Sequence, residues 1–249
     1  MSNLLGLGFA IVFAALITGM WLLYRRRAQA PLLREIEGYQ ELPYRVGYAV
    51  EAGQRLHVSL GSGGIGGPDT AASLAGLAVL NRLAGAASIS DQPPVVTAGD
   101  GAAMILAQDT LRRIYRRQHA LDRYDHSAGR MTGATPFSYA AGAMMVHRDE
   151  KVATSLVMGR LGPELALITS AGERAGVHQI AGTDDPQAQA LPLVTANHAL
   201  IGEDMFAAGA YIAGGDPLHV ASLQAQDWMR LLVAGVIIVG AVLRALGII

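Results

Sequence analysis

The sequence predicts an α/β fold in which a mainly parallel, layered sheet lies between two transmembrane helices. Three observations support this fold class. Long apolar runs occur near both ends of the 249 residues, strand-like and helix-like patterns alternate between those runs, and a glycine-rich turn joins a strand to a helix. Strands separated by helices are typical of parallel sheets, and the position of the turn makes the sheet Rossmann-like. We divide the chain into an N-terminal transmembrane anchor (1–27), a linker (28–44), an α/β domain (45–226) and a C-terminal transmembrane helix (227–249).

The composition excludes several kinds of site. The chain has no cysteine, which excludes disulfides, thiolate nucleophiles and cysteine-bound metals. Lys151 is the only lysine, so a phosphate loop of the G-x-x-x-x-G-K-[ST] type is excluded. The formal net charge of −1 gives no general attraction to nucleic acid, and we predict no nucleic-acid partner. The histidines lack H-E-x-x-H spacing and no serine has a G-x-S-x-G context, so we predict no metal site and no catalytic residues, and favour a protein without enzymatic activity.

The first apolar run, residues 4–24, contains no charged residue and is long enough to cross the ~30 Å hydrocarbon core of a bilayer. Three arginines follow it at 25–27. Basic residues mark the cytoplasmic side, so we expect the N-terminus outside. A cleaved signal peptide is the competing interpretation, because residues 28–30 resemble a cleavage site. The length of the run and the position of the arginines favour an uncleaved anchor.

The second apolar run, residues 231–249, is interrupted only by Arg244. Trp228 and Arg230 mark its expected cytoplasmic edge, and Arg244 lies close enough to the far end to reach the outer headgroups. A second span places both termini outside and the central domain in the cytoplasm, with the lipid bilayer as a partner. The alternative is a helix buried in the domain or in a partner protein. Small residues spaced four apart in both runs favour helix pairing and a homo-oligomer.

The pattern between the two runs predicts two strand–helix–strand units, 55–117 and 152–212. A polar stretch over 119–135 is expected to be irregular, and a helix that starts near 217 is expected to continue into the second span. The predicted elements are strands within 44–60 on either side of a turn at 51–54, a helix capped by Asp69 or Thr70, a strand at 93–97, helices at 101–117 and 137–148, a strand at 152–159, a helix that ends at Gly176, strands at 177–182 and 191–196, and a helix at 199–214.

The glycine-rich turn is the sharpest local feature. Its residues match G-x-G-x-x-G between a strand and a helix, where backbone N–H groups bind the phosphates of a dinucleotide. The match departs from that motif because Pro68 delays the helix and because the next acidic residue at a strand end, Asp100, is more than ~20 residues away. Ligand binding and a purely structural turn both remain open, and the cofactor is unknown. A similar turn at 159–163 and residues 183–185 follow the strands of the second unit, and strand ends of this kind line the ligand crevice of an open sheet. The candidate ligand-binding residues are Gly61, Ser62, Gly63, Gly64, Gly66, Thr70, Asp100, Thr183 and Asp184.

Other candidate groups have ordinary structural explanations. Four arginines, Arg112, Arg113, Arg116 and Arg117, lie within two turns of one predicted helix. They are candidates for contact with anionic lipid headgroups or a partner subunit, and a merely solvated arginine face is the alternative. His178, like His57, lies on a predicted strand, where a hydrogen-bonded core or edge histidine is the expected role.

Five segments that precede the terminal span are distinctive. They are HVSLGSGGIGG, TAASLAGLAVL, AQDTLRRIY, IGEDMFAAGAYI and GGDPLHVASLQAQDWMR. Together they resemble an uncharacterised family of bacterial membrane-anchored proteins that is defined only as a domain of unknown function. The resemblance runs from about residue 30 to the terminal span and implies a membrane-anchored protein. It supplies no site residues, because the family has no assigned catalytic residues.

Two functions follow as expectations. The first is a non-catalytic, membrane-anchored scaffold or assembly subunit whose cytoplasmic domain self-associates or docks a partner complex. The alternative is a membrane-tethered enzyme or sensor that binds a nucleotide or phosphate through the 61–67 turn. A role as a subunit of a transporter or respiratory assembly is a third option, but transport by this chain alone is not expected, since neither span has an ionisable residue near its middle.

Overall fold

A computed structural model describes residues 2–25, 33–88, 90, 92–212 and 217–246. The chain forms two compact units. The first, the helical unit, comprises residues 1–34 and 213–249, and the second, the sheet unit, comprises residues 35–212. The helices are α1 (Ser2–Arg25), α2 (Glu37–Glu51), α3 (Thr70–Ala87), α4 (Gly101–Arg117), α5 (Pro136–Asp149), α6 (Leu165–Arg174), α7 (Pro192–Thr195), α8 (Ala208–Tyr211) and α9 (Pro217–Ala245). The strands are β1 (Arg55–Gly61), β2 (Val95–Ala98), β3 (Gly129–Met131), β4 (Val152–Arg160), β5 (His178–Thr183) and β6 (His198–Leu200).

The sheet unit is built on six strands that are all parallel, in the order β3-β2-β1-β4-β5-β6. From β1 the chain adds β2 and then β3 on one side. It returns through α5 to place β4 beside β1, and then adds β5 and β6 on the other side. This confirms the α/β fold and the parallel sheet expected from the alternating pattern.

Helices cover both faces of the sheet. On one face, α3 and α4 bury an apolar cluster against β1 and β2, which includes Val58, Leu60 and Leu80. On the other face, α5 and α6 bury a second cluster against β4 and β5, which includes Val157 and Ile168. Successive strand residues point to opposite faces, so the single strand β1 contributes to both layers.

The layer between β1 and α5 is polar. His57 is fully buried, with its Nδ1 atom 2.8 Å from Ser155 Oγ and 3.1 Å from His147 Nε2, and its Nε2 atom 3.0 Å from Thr97 Oγ1. The Tyr139 hydroxyl lies 3.1 Å from the same Thr97 oxygen. Hydrogen bonds stabilise buried polar groups, and these contacts join His147 and Tyr139 of α5 to the sheet.

Helix α2 occupies a segment that the sequence pattern assigns partly to the linker and partly to a strand. The prediction of a strand over 44–50 is wrong. The buried residues Tyr39, Leu42, Val46 and Ala49 recur at helical spacing, and the helix packs on the sheet through Gly38, whose missing Cβ would lie 3.1 Å from Ile180 Cγ2.

Three further elements differ from the sequence pattern. The segment 191–196 is not a strand, because Pro192 starts the one-turn helix α7, and the strand β6 follows it. The predicted helix over 199–214 is instead broken into the end of β6, a 3₁₀ turn (Gly202–Phe206) and α8. The stretch 119–135, predicted to be irregular, contributes the short edge strand β3.

The helical unit consists of α1 packed against α9. The helix α9 is continuous, as expected, from Pro217 through the second apolar run to Ala245. An open groove of about 530 Å³ between the two helices is lined mainly by apolar side chains, among them Phe9, Phe13 and Val233. Three helices in the described residues, α1, α3 and α9, are long and apolar enough to cross a membrane, which is compatible with membrane association. Half of α3 is buried inside the sheet unit, so its apolar residues form part of the core.

Candidate ligand-binding crevice

The strand order of the sheet reverses between β1 and β4. The chain leaves the carboxyl end of β1 toward α3 on one face, and it leaves the carboxyl end of β4 toward α6 on the other. In open α/β sheets, ligands bind in the opening that this divergence creates. We call this opening the crevice. Its walls are the turn 61–67, after β1, and the turn 159–164, after β4.

Some of the glycines in these walls are required because the two turns lie too close together for a side chain. A Cβ on Gly63 would lie 2.6 Å from Arg160 Cβ and 2.8 Å from Asp69 Cβ. Gly61 has a φ of +79°, and its Cβ would lie 2.7 Å from the Arg160 carbonyl oxygen. These glycines allow the two turns to touch, so their presence alone does not indicate a ligand.

The remaining part of the 61–67 turn differs from its two ends in the hydrogen bonds of its backbone N–H groups. Thr70 Oγ1 accepts hydrogen bonds from the N–H groups of Gly66 and Gly67 and thereby holds the end of the turn. Among the described residues, no acceptor is bonded to the N–H groups of Gly63, Gly64 and Ile65. Successive free N–H groups beside a helix N-terminus are suited to an anion.

Asp100 follows β2 and faces the same turn. Its Oδ2 atom caps α4 by accepting from the N–H groups of Ala102 and Ala103. Its Oδ1 atom lies 3.3 Å from where a Cβ on Gly64 would be. Asp100 therefore stands next to the turn at the end of the second strand, despite the long sequence separation.

Charge in the crevice is mostly negative. Arg160 Nη1 lies 3.7 Å from Asp184 Oδ1, and the other guanidinium nitrogens lie 3.9 Å from Asp69 and 4.0 Å from Asp185. Burial raises the pKa of Asp184, and the positive charge of Arg160 partly offsets this. Since these ion pairs are long, Arg160 is held loosely.

The turn 159–164 is tied to its surroundings by buried groups. Glu164 accepts hydrogen bonds from Ser62 Oγ at 3.1 Å and from the Gly162 N–H at 2.9 Å. Thr183, a candidate ligand residue from the sequence, is fully buried, and its hydroxyl donates to the Leu161 carbonyl oxygen. Thr183 therefore supports the turn from within the unit.

The structure brings most of the predicted residues together and adds others. Gly61, Gly63, Gly64 and Asp100 line or adjoin the crevice, as does Asp184. Arg160, Asp69, Asp185 and Glu164 were not among the candidate residues, although the strand ends that carry Arg160 and Asp185 were expected to line the crevice. Their side chains become part of it through the pairing of β1 with β4. The four arginines on α4 lie elsewhere, on its exposed side, where Arg113 pairs with Asp109.

The profile of a family described as Domain of unknown function (DUF6754) matches residues 2–249. The chain belongs to this family. The DUF6754 match agrees with the resemblance to an uncharacterised family and assigns no activity. No curated protein and no solved structure matches the chain.

Proposed function

We propose that the protein is a membrane-anchored nucleotide-binding protein that uses the crevice between β1 and β4. One observation carries the proposal: the reversal of strand order coincides with a glycine-rich turn whose successive N–H groups have no acceptor among the described residues. The phosphates would accept from those N–H groups. The ribose hydroxyls would donate to Asp100, since a carboxylate after the second strand is the usual ribose partner in dinucleotide-binding sheets.

The arrangement of the strands supports this proposal. An all-parallel sheet with the order 3-2-1-4-5-6 and helices on both faces is the order of Rossmann-like dinucleotide-binding domains. We therefore assign the sheet unit to the Rossmann-like type. The delay between the turn and α3, caused by Pro68, places the free N–H groups before the helix.

The charged side chains around the crevice favour some classes of nucleotide over others. One arginine and several carboxylates surround the crevice, which disfavours a bare polyphosphate and favours a ligand that brings hydroxyl groups or a divalent cation. Among the described residues, Arg160 supplies a basic side chain beside these carboxylates. Because its ion pairs are long, it is free to turn from the aspartates to an incoming anion.

The test is calorimetric titration of the full-length protein in mild detergent with ATP, ADP, NAD and NADP, with and without Mg²⁺. We expect at least one of them to bind, and we expect Ala71→Glu to weaken binding about tenfold or more, about 1.4 kcal/mol. Ala71 is exposed in the first turn of α3, where an acidic side chain suits the helix and repels a phosphate. Gly63→Val is a poor probe because its side chain would strike Arg160 and Asp69.

The matched control is Asn81→Glu, which adds the same charge at an exposed position further along α3. It should leave the dissociation constant unchanged. Equal weakening by both variants would show that general charge is responsible and would contradict a site at the turn. Absence of binding by the whole panel, together with a closed oligomer in mass photometry, would instead favour the scaffold. The exposed side chains of Leu193 and Val194 are the surface that favours that second candidate.

We also propose that α1 and α9 span the membrane and that the sheet unit lies in the cytoplasm. The absence of charge within residues 4–24 and the arginines at 25–27 support this topology. Because the chain has no cysteine, His126→Cys introduces a single label site at an exposed position of the sheet unit. A membrane-impermeant maleimide should label it in inside-out vesicles and not in right-side-out vesicles. The reverse pattern would place the sheet unit outside.

A further inference from the structure

A second cluster of functional side chains lies at the opposite edge of the sheet, where the strands begin. His178 is the first residue of β5 and His198 is the first residue of β6. The register pairs Ile180 with His198. Since alternate residues of a strand share a face, the two histidines project to the same side of the sheet, and their rings lie 5.5 Å apart.

Helix α2 brings a carboxylate onto this pair. Glu41 Oε2 lies 2.5 Å from His198 Nε2 and 3.5 Å from His178 Nε2. The other carboxylate oxygen is held by Arg45, whose Nε donates to it at 2.8 Å. Gly38, one turn earlier, allows this approach, because a Cβ there would lie 3.2 Å from His198 Cβ.

We propose that Glu41, His178 and His198 bind a divalent first-row transition metal such as zinc. One ligand atom from each residue lies within 4.8 Å of the others. Metal–nitrogen and metal–oxygen bonds of about 2.0–2.2 Å place tetrahedral ligand atoms about 3.3 Å apart. The 3.5 Å between Glu41 Oε2 and His178 Nε2 already fits that spacing, and a rotation of Glu41 away from His198 would widen the 2.5 Å contact toward it. Two imidazoles and a carboxylate are a common ligand set for such metals.

Two further features point to a metal rather than to an ordinary ion pair. The Nε2 atom of His178 is buried and has no hydrogen-bond partner among the described residues, so the nitrogen is positioned for a ligand that the protein itself does not supply. His198 Nδ1 lies 3.7 Å from Glu37 Oε2, so a small movement of this exposed side chain would supply the outer carboxylate that commonly orients a metal-bound histidine.

The site also has an approach from solvent. A groove of about 330 Å³ is lined by His178, Arg45 and Asn197. With three protein ligands, a tetrahedral metal keeps one position for water or a small ligand. Arg45 neutralises one oxygen of Glu41, so that residue is expected to bind through Oε2 alone.

The experiment uses full-length protein in detergent, purified without a histidine tag and stripped with a chelator. Zinc is then titrated against a chromophoric zinc indicator, and bound zinc is counted by mass spectrometry. We expect about one zinc per chain. Loss of a residue that only orients a metal ligand typically lowers metal affinity about 10–100-fold. His178→Gln and Glu41→Gln each remove a ligand and should lower zinc affinity by more than this, whereas Glu37→Gln should lower it about tenfold.

The control is His126→Gln, which removes an exposed histidine of the same unit and should leave zinc affinity unchanged. Cobalt provides a second readout, because a tetrahedral site with these ligands gives visible absorption bands that the His178→Gln protein should lack. Each variant is first shown to melt cooperatively without metal, so that loss of binding is not loss of fold. Zinc that remains bound equally by wild type and His178→Gln, or less than one tenth of an equivalent in the wild type, would overturn the proposal.

Discussion

Replacing Gly159 with alanine is expected to destabilise the sheet unit by about 3 kcal/mol or more. Gly159 has a φ of +140°, and a Cβ there would lie 2.2 Å from the Leu60 carbonyl oxygen and 2.6 Å from its carbon. The obstructing atoms are backbone atoms of the central strand β1, which cannot move without disturbing its pairing with β2 and β4. An unfavourable positive φ costs about 1–2 kcal/mol and overpacking a further about 1–3 kcal/mol.

Hydrogen exchange of β1 and β4 peptides in the full-length protein measures this loss. Intrinsic fluorescence is unsuitable, because the two tryptophans, Trp21 and Trp228, lie in the helical unit. Gly67→Ala is the control, since its Cβ meets nothing within 4 Å and its φ is not in the left-handed region. It should change the free energy of opening by less than about 0.5 kcal/mol. Equal effects of the two substitutions would show that contact with Leu60 is not the cause.

The sheet unit is expected to lose stability steeply as the pH falls below 6.5. Burial lowers the pKa of His147 to about 4, and burial together with the nearby His147 lowers the pKa of His57 well below 6.5. Between pH 6.5 and the lowered pKa of the folded state, each histidine is therefore neutral in the folded protein and protonated in the unfolded chain. The contribution of the two neutral histidines to the free energy of unfolding is fully present above pH 6.5 and is lost as the pH falls toward their pKa in the folded protein. One such histidine accounts for about 1.4 kcal/mol per pH unit, so His147 alone removes about 2 kcal/mol between pH 7 and 4.5.

The measurement is the free energy of opening of β1 and β4 at several pH values in this range, after correction for the intrinsic exchange rate. His147→Gln should lower the slope of this free energy against pH by the amount that corresponds to about one proton, because glutamine does not titrate. His126→Gln, at an exposed position, should retain the full slope. A stability that is flat from pH 7 to 4.5 would contradict the neutral, buried state of the pair.

The residue pattern predicts the secondary structure correctly where it agrees with the environment of each residue in the folded protein. The strand β1, the helices α3 and α4, and the β4–α6–β5 unit all lie where apolar periodicity and turn residues predict them. Helix α2 shows the opposite case. The apolar residues Tyr44, Val46, Tyr48 and Val50 alternate like a strand, but Tyr44 and Tyr48 are exposed. The packing of Leu42, Val46 and Ala49 on the sheet decides the conformation instead.

The crevice could be predicted in part from the sequence, whereas the proposed metal site could not. The 61–67 turn carries its own signal in consecutive residues, so its position at a strand end was predictable. Arg160 becomes part of the same site only because β4 pairs with β1. The cluster of Glu41, His178 and His198 joins residues far apart in the chain, and Glu41 lies in a stretch that the pattern assigns to a linker. Such a cluster follows from the strand register and the docking of α2, neither of which spacing reveals.

The outermost strands of the sheet constrain how copies of this protein can meet. Both β3 and β6 contain only three residues, and Arg130 in β3 is paired with Glu150 at 2.9 Å. Short edges that carry a charge resist the addition of a foreign strand, which is the usual route to amyloid-like aggregation. We therefore expect an ordered assembly of these chains to form through helical surfaces rather than by extension of the sheet.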